Sequence, residues 1–334
     1  MAISLADILD ARRVIRGVAD ATPFVPSPFM SNVAGHDFLL KLENMQPIGA
    51  FKLRGAVNAV MALPDTVGGV VCCSTGNHGR GVAFAAARRG MKAVICMSNL
   101  VPQAKIDGIL ALGADVRIIG TTQDEAMRES QRLCVAERLV EISPFDDPNV
   151  IAGQGTIGLE MLEQRPDLST ILVPLSGGGL AAGVAVAAKA IAPAIRVIGI
   201  SMDQCAAMYA SLRAGYPLEV AEHASLADSL GGGIGLGNRH SFPLCKKHLD
   251  EILLVTEEEI RHAMQVLYFE DRIVAEGASV VGLAAVLAGK VKVDGPVGTI
   301  ITGRNLDMPT FNRIMAGEDV QIGNLTVKGK PYGA

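Results

Sequence analysis

The chain has 334 residues, 49% hydrophobic and 19% charged, with a formal net charge of -4. Mean hydropathy is +0.34 and the pI about 5.9, the profile of a compact enzyme-like protein rather than a disordered one. Basic residues do not cluster or alternate with aromatics, which argues against nucleic acid as a partner, and no uncharged apolar run is long enough to span a bilayer.

The start, Met1 to Asp7, carries an acidic residue and no positive region before an apolar block, so no signal peptide is expected. Leu5, Ile8, Leu9, Val14 and Ile15 have helical spacing, with Ser4 as a cap and Thr22-Pro23 as the stop. Phe38 to Glu43 reads as a short strand, and a helix from Lys52 to about Leu63 stops at Pro64. A regular alternation follows. Val70 to Cys73, Ala93 to Cys96 and Val116 to Ile119 read as buried strands. Between and after them come helices over Gly79 to Arg89, Gln103 to Leu112 and Asp124 to Val140. Strand and helix repeating over about 75 residues predict a parallel sheet covered by helices.

Gly155 to Leu162 begins another helix, and Thr170 to Pro174 is a strand feeding Leu175-Ser176-Gly177-Gly178-Gly179-Leu180. An alanine-rich helix to about Ala192 and a strand over Val197 to Ile200 follow. Gly231 to Gly237 is a loop, Glu257 to Tyr268 and Gly277 to Leu287 are helices, and Val297 to Ile301 is the last buried strand. The final thirty or so residues read as a peripheral tail. Cys72, Cys73, Cys96, Cys134, Cys205 and Cys245 form no CxxC pair and read as reduced core thiols of a cytoplasmic protein. Cys245 and His248 have CxxH spacing without a second pair, so a zinc site is not expected.

Four stretches carry candidate chemistry. In Gly49-Ala50-Phe51-Lys52-Leu53-Arg54-Gly55-Ala56 a lysine stands among small and apolar residues. A desolvated amine loses its proton easily, which suits a Schiff base with an aldehyde. A lysine snorkelling at a helix start explains this stretch alone equally well. Ser74-Thr75-Gly76-Asn77-His78-Gly79 leads into a helix whose first amides suit a carboxylate or phosphate, or simply a cap. Ser176-Gly177-Gly178-Gly179-Leu180 has more glycine than a tight turn needs and can wrap a phosphate, although it fits neither GxGxxG nor a P-loop. Thr302-Gly303-Arg304-Asn305 ends the last strand with a hydroxyl that can meet a heteroaromatic nitrogen, or is a plain turn.

Taken in this order, the set resembles the fold-type II pyridoxal-phosphate enzymes, serine/threonine dehydratase branch. The branch's S-F-K-x-R-G-A is similar to Ala50 to Ala56, its S-x-G-N-H to Ser74 to His78, and its glycine loop to Ser176 to Leu180. Its A-G-Q-G-T is Ala152 to Thr156, and its acidic residue before small residues is Glu276. Within the branch, Leu226 to Gly233 and Gly303 to Met308 resemble the hydroxyectoine-utilisation dehydratase.

The resemblance implies an α/β, two-domain, tryptophan synthase β-like fold. Residues 1–69 and 147–334 would form a large cofactor-binding domain, and 70–146 a small mobile domain that closes over substrate. It implies that Lys52 holds pyridoxal 5'-phosphate as a Schiff base and takes the Cα proton. Phe51 packs beside the ring, Asn77 bonds the ring hydroxyl, and Ser176, Gly177, Gly178, Gly179 and Leu180 bind the phosphate. Thr302, with Gly303, faces the pyridine nitrogen, where the branch usually has serine. Glu276 borders the cofactor, and Ser74, Thr75, Gly76 and His78 border the substrate carboxylate.

Three departures bear on function. Thr75 stands where the branch's racemases carry a serine base, which argues against racemisation. Ser201 and Ala207 stand where the branch's metal site has acidic ligands, so no such metal is expected. Ala227-Asp228-Ser229 replaces Ala-Asp-Gly before Leu230 and three glycines, which suits a larger substrate. The expected activity is dehydration of a 3-hydroxy-2-amino acid, a 3-hydroxydiaminobutyrate-type compound from hydroxyectoine. Threonine, serine or 3-hydroxyaspartate is the alternative, and a racemase or a non-catalytic cofactor carrier the further ones. A homodimer is expected by analogy. With little chain after Thr302, no regulatory domain of the biosynthetic type is expected.

Overall fold

Short apolar runs of strand length recur along the chain, and the structure assembles them into two main sheets. The computed structural model describes residues 3–74, 76–99, 101, 103–121 and 123–334. The strands are β1 Phe24–Pro26, β2 Phe38–Lys41, β3 Gly69–Cys73, β4 Lys92–Met97, β5 Asp115–Ile118 and β6 Val140–Glu141. They continue with β7 Thr170–Pro174, β8 Arg196–Met202, β9 Glu251–Val255, β10 Val297–Ile300, β11 Val320–Ile322 and β12 Leu325–Val327.

The larger sheet runs β1-β2-β10-β7-β8-β9 and is parallel apart from its edge strand β1. β2, β7 and β10 are buried along their whole length, as strands covered on both faces must be. One face packs on the helices Pro148–Gln164 and Gly179–Ile191 through Ile151, Ile157, Ala181 and Val184. The other packs on the helices Glu257–Asp271 and Val281–Leu287 through Val266, Leu283 and Val286. The smaller sheet, β5-β4-β3-β6, is wholly parallel.

The helix Lys52–Met61 lies between the two sheets. A Cβ on Gly153 would stand 2.6 Å from Arg54 O, and one on Gly81 3.1 Å from the Ala56 Cβ. Those glycines let the helices Pro148–Gln164 and Asn77–Arg89 approach it at backbone distance. Beneath it lies a closed ionic cluster. The fully buried Arg54 guanidinium donates to both Glu43 oxygens, to both Glu160 oxygens, to Thr156 Oγ1 and to Asp20 O. Lys41 Nζ donates to Glu160 and to Thr22 O. Burial works against the Arg54 charge, but Glu43 and Glu160 outweigh it and hold the guanidinium's pKa above its usual value.

Several sequence expectations need correction. The helix expected over 124–140 ends at Ala136, because Arg138 turns at φ 54 and Val140 must pair with Val70. The helix expected from Gly155 starts at Pro148, capped by Asp147. The Lys52 helix ends at Met61, and 277–279 is a 3-10 turn before the helix Val281–Leu287. β1, β9 and the helices Ala207–Ala214 and Ser241–His248 have no counterpart in the sequence reading. The supposed tail contains the helix Met308–Met315, whose Phe311 and Ile314 are buried in the core. Among the described residues, no helix is long and apolar enough to cross a membrane, and no cluster of three His, Cys, Asp or Glu side chains could hold a metal.

Candidate active site

Lys52 begins its helix where two chain segments are stitched together. Phe51 N donates to Thr302 O at 2.9 Å, Arg304 N donates to Gly49 O at 3.0 Å, and Ala50 bridges Gly303. Gly49 makes this crossing possible, with φ of 76° and space only for a hydrogen where a Cβ would meet Asn305 Oδ1 at 3.0 Å. Lys52 is half-buried, with its amine turned inward. It donates to Pro144 O at 2.7 Å and lies 5.3 Å from the centre of the Phe51 ring. Burial pulls its pKa down to about 8, against the opposing charge of Glu276.

Glu276 is 5% exposed and acts as a hub. Asn77 Nδ2 donates to its Oε1 at 3.0 Å and Ser229 Oγ to the same oxygen at 3.2 Å. Asn305 Nδ2 in turn donates to Asn77 Oδ1 at 2.7 Å. Burial, with the charge of Asp228, raises the Glu276 pKa to about 7, while the bonds from Asn77, Ser229 and the Asn305 backbone pull the other way. Gly303 is needed here, since a Cβ would stand 2.9 Å from Glu276 Oε1. Thr302 Oγ1 lies 2.9 Å from Ser279 Oγ, which accepts from Gly303 N and donates to Gly303 O. Either hydroxyl of this pair can be the donor, and when Ser279 gives its proton to Thr302 rather than to Gly303 O, Thr302 is free to donate to a ligand.

The loop Ser176 to Leu180 follows β7. Gly178 has φ of 89°, and a Cβ there would meet Met208 Cε at 2.6 Å. A Cβ on Gly177 would stand 2.3 Å from the Phe145 ring, and one on Gly179 2.7 Å from Phe145 O. The helix that starts at Gly179 has no side-chain cap, so its first amides are open to an anion. Ser176 Oγ makes a long contact of 3.5 Å with Gly231 O.

Ser74, Gly76 and Asn77 stand at the start of the helix Asn77–Arg89, whose cap residue Gly76 likewise has no side-chain bond. Thr75 lies outside the described residues. His78 is buried, and its Nε2 donates to Ile142 O at 2.8 Å, which leaves Nδ1 without a partner. Burial, helped by the Lys52 charge, lowers its pKa to about 3. His78 is therefore a neutral ring with its one proton committed, not a cationic donor for a carboxylate.

The family model described as "Pyridoxal-phosphate dependent enzyme" matches residues 15–303. The chain belongs to that family. It is 48% identical over 94% of its length to a putative threonine dehydratase of Sinorhizobium fredii, covering 96% of that protein. It is 42% identical over 94% of its length to the L-threonine ammonia-lyase of Thermotoga maritima, covering 78% of it. Among solved structures, maize serine racemase superposes with a TM-score of 0.88 at 32% identity, covering 95% of this chain and 98% of that one. This is a threonine dehydratase-like pyridoxal-phosphate enzyme with the α/β fold of that group.

The residues of this pyridoxal-phosphate enzyme fit the cofactor. A desolvated amine, an uncapped helix start behind three glycines, and a hydroxyl at the end of β10 face the same region. Sequence reasoning missed several neighbours in it. Ser279 and Asn305 carry no role in the sequence pattern, although Asn305 ends the Thr302 to Asn305 stretch. The segment Ser143-Pro144-Phe145-Asp146, which touches both Lys52 and the glycine loop, was missed entirely. Its one signal was Asp146-Asp147-Pro148, the pattern of a capped helix start.

Proposed function

We propose that this enzyme removes water from a 3-hydroxy-2-amino acid and then releases ammonia and a 2-oxo acid. The carrying observation is the Lys52 amine, enclosed against Pro144 O and close enough to Glu276 to feel its charge. Bound pyridoxal phosphate supplies an electron-accepting ring for the charge left when the Cα proton departs. Lys52 Nζ, with a pKa near 8, takes and returns that proton near neutral pH. Phe51 packs beside the ring, and Asn77, Glu276, Thr302 and Gly303 orient it. Ser176 to Leu180 hold the phosphate, while Ser74, Thr75 and Gly76 receive the substrate carboxylate. A neutral hydroxyl at Thr302 would not hold a full positive charge at the ring nitrogen as an aspartate would, which would suit elimination.

The relatives' names support threonine or serine as substrate. A second reading, a larger 3-hydroxydiaminobutyrate-type substrate derived from hydroxyectoine, is favoured by Ser229. This residue stands where the branch carries glycine, donates to Glu276, and follows Asp228. Two carboxylates there suit a distal ammonium. We further propose that residues 70–146 close over substrate as a small mobile domain, that the enzyme is a cytoplasmic homodimer, and that it lacks the racemase activity of its structural neighbours. The test is a panel of serine, threonine, both 3-hydroxyaspartate diastereomers and 3-hydroxy-2,4-diaminobutyrate with its acetylated forms, analysed by mass spectrometry and chiral chromatography. Turnover of the diaminobutyrate compounds alone supports the larger substrate, and turnover of threonine or serine alone removes it. Inverted substrate without oxo acid would overturn the lyase reading.

A further inference from the structure

The segment Ser143 to Asp146 connects the two ends of the site. Pro144 O accepts from Lys52 Nζ at 2.7 Å, and Phe145 fills the space that Gly177 and Gly179 leave open. The next residue turns outward to a different helix. Asp146 Oδ2 accepts from Arg239 N at 2.8 Å, and its Oδ1 accepts from His240 N and Ser241 N, each at 2.8 Å. One carboxylate thus gathers three successive amides at the start of the helix Ser241–His248. That helix start is bonded in turn to the glycine loop. Ser241 Oγ donates to Gly177 O at 2.7 Å, and Asn238 Nδ2 donates to Ser241 Oγ at 2.8 Å. One turn further on, Cys245 Sγ contacts Gly178 O at 3.6 Å. The neighbouring Asp147 accepts from Asn149 N and Val150 N and caps another helix.

A peptide unit is planar, so the direction of the Gly177 carbonyl fixes that of the Gly178 amide. We propose that Asp146 is a positioning residue for the glycine loop, acting through Ser241 on the Gly177–Gly178 peptide and so aiming the amides that grip the cofactor's phosphate. This rests on the reading that Ser176 to Leu180 hold that phosphate. Asp146 touches no reacting atom, and its effect falls on one end of the cofactor.

The test titrates apoprotein with pyridoxal phosphate and, separately, with pyridoxal, which has the same aldehyde and ring but no phosphate. The readout is the ratio of the two affinities. Asp146→Asn places an amide against backbone N–H groups and is expected to lower this ratio about 10-fold with pyridoxal binding unchanged. Ser241→Ala should lower it in the same direction by less. Broadening or displacement of the bound phosphate's phosphorus-31 resonance in both variants gives a second readout. Equal losses for both ligands, or no loss, overturn the proposal, because a general structural defect cannot tell the two apart. Should Asp146→Asn fail to fold, Ser241→Ala and its phosphorus spectrum decide. Gly178→Ala separates the two layers of the argument. If it leaves the ratio intact, the phosphate reading itself fails. If it collapses the ratio while the Asp146 and Ser241 variants do not, only the clamp fails.

Discussion

Replacing Glu276 with glutamine isolates the cost of burying its charge. With its oxygen in the place of Oε1 the glutamine still accepts from Asn77 and Ser229, and any cost of its amide on the other side is the same at every pH. What disappears is a proton that the folded chain binds more tightly than the unfolded one. Burial with the charge of Asp228 raises the carboxyl from 4.5 to about 7. At 1.36 kcal/mol per unit, that shift corresponds to about 3 kcal/mol. Its sign follows from proton binding. Between pH 4.5 and 7 the folded protein keeps a proton that the unfolded chain has released, so wild-type stability falls as pH rises through this window. The variant lacks the loss. Urea unfolding of the two apoproteins at pH 4.5 and at pH 8 should therefore show the glutamine protein gaining about 3 kcal/mol on the wild type. A difference that stays constant across this range, or grows the other way, would refute the burial argument. It would also remove the basis for a Glu276 able to hold or release a proton near neutrality.

Other outcomes follow from the same geometry. Apoenzyme should take up pyridoxal phosphate at a rate that climbs through pH 8, where the Lys52 amine loses its proton; a climb centred near 10.5 would mean that the amine is not desolvated. Arg54→Met should destabilise the protein by about 3–5 kcal/mol in chemical denaturation, because it strands Glu43 and Glu160 in the interior. Thr302→Ser should keep the contact with Ser279 and most activity, whereas Thr302→Asp should raise the share of products from reprotonated substrate relative to oxo acid, read by chiral chromatography.

Much of the architecture was legible because buried parallel strands leave a plain trace. β3 and β7 are short apolar runs, β8 and β10 are apolar runs interrupted only by small residues, and each was found near its observed place. β9 escaped because it lies at the sheet edge, half-buried, between a lysine-rich helix and an acidic one. The start of the helix Pro148–Gln164 escaped because Gly153 looks like a loop residue, with Gly155 and Gly158 close behind it. Those glycines are there for close approach to Arg54 O, Ile8 and Val184, which sequence spacing does not reveal. At the site, the residues within the motifs could be read. Arg54 was seen only as a motif letter, since its partners Glu43 and Glu160 come from distant segments. Asp146 stands beside a helix-cap pattern that belongs to Asp147, and its own partners are amides 93 to 95 residues further along the chain. His78 was read as bordering the substrate carboxylate, and no motif reveals that its Nε2 proton goes to Ile142 O.

Everything proposed for this site depends on Lys52 driving release of ammonia and a 2-oxo acid from a 3-hydroxy amino acid. The most direct measurement follows both products, from threonine and from each other member of the substrate panel, with wild-type enzyme and Lys52→Ala side by side. The wild type should give equimolar ammonia and oxo acid from at least one member, and the variant neither product from any member. Oxo acid formed at the wild-type rate by Lys52→Ala, or none from any 3-hydroxy amino acid by cofactor-loaded wild type, would contradict this role for Lys52.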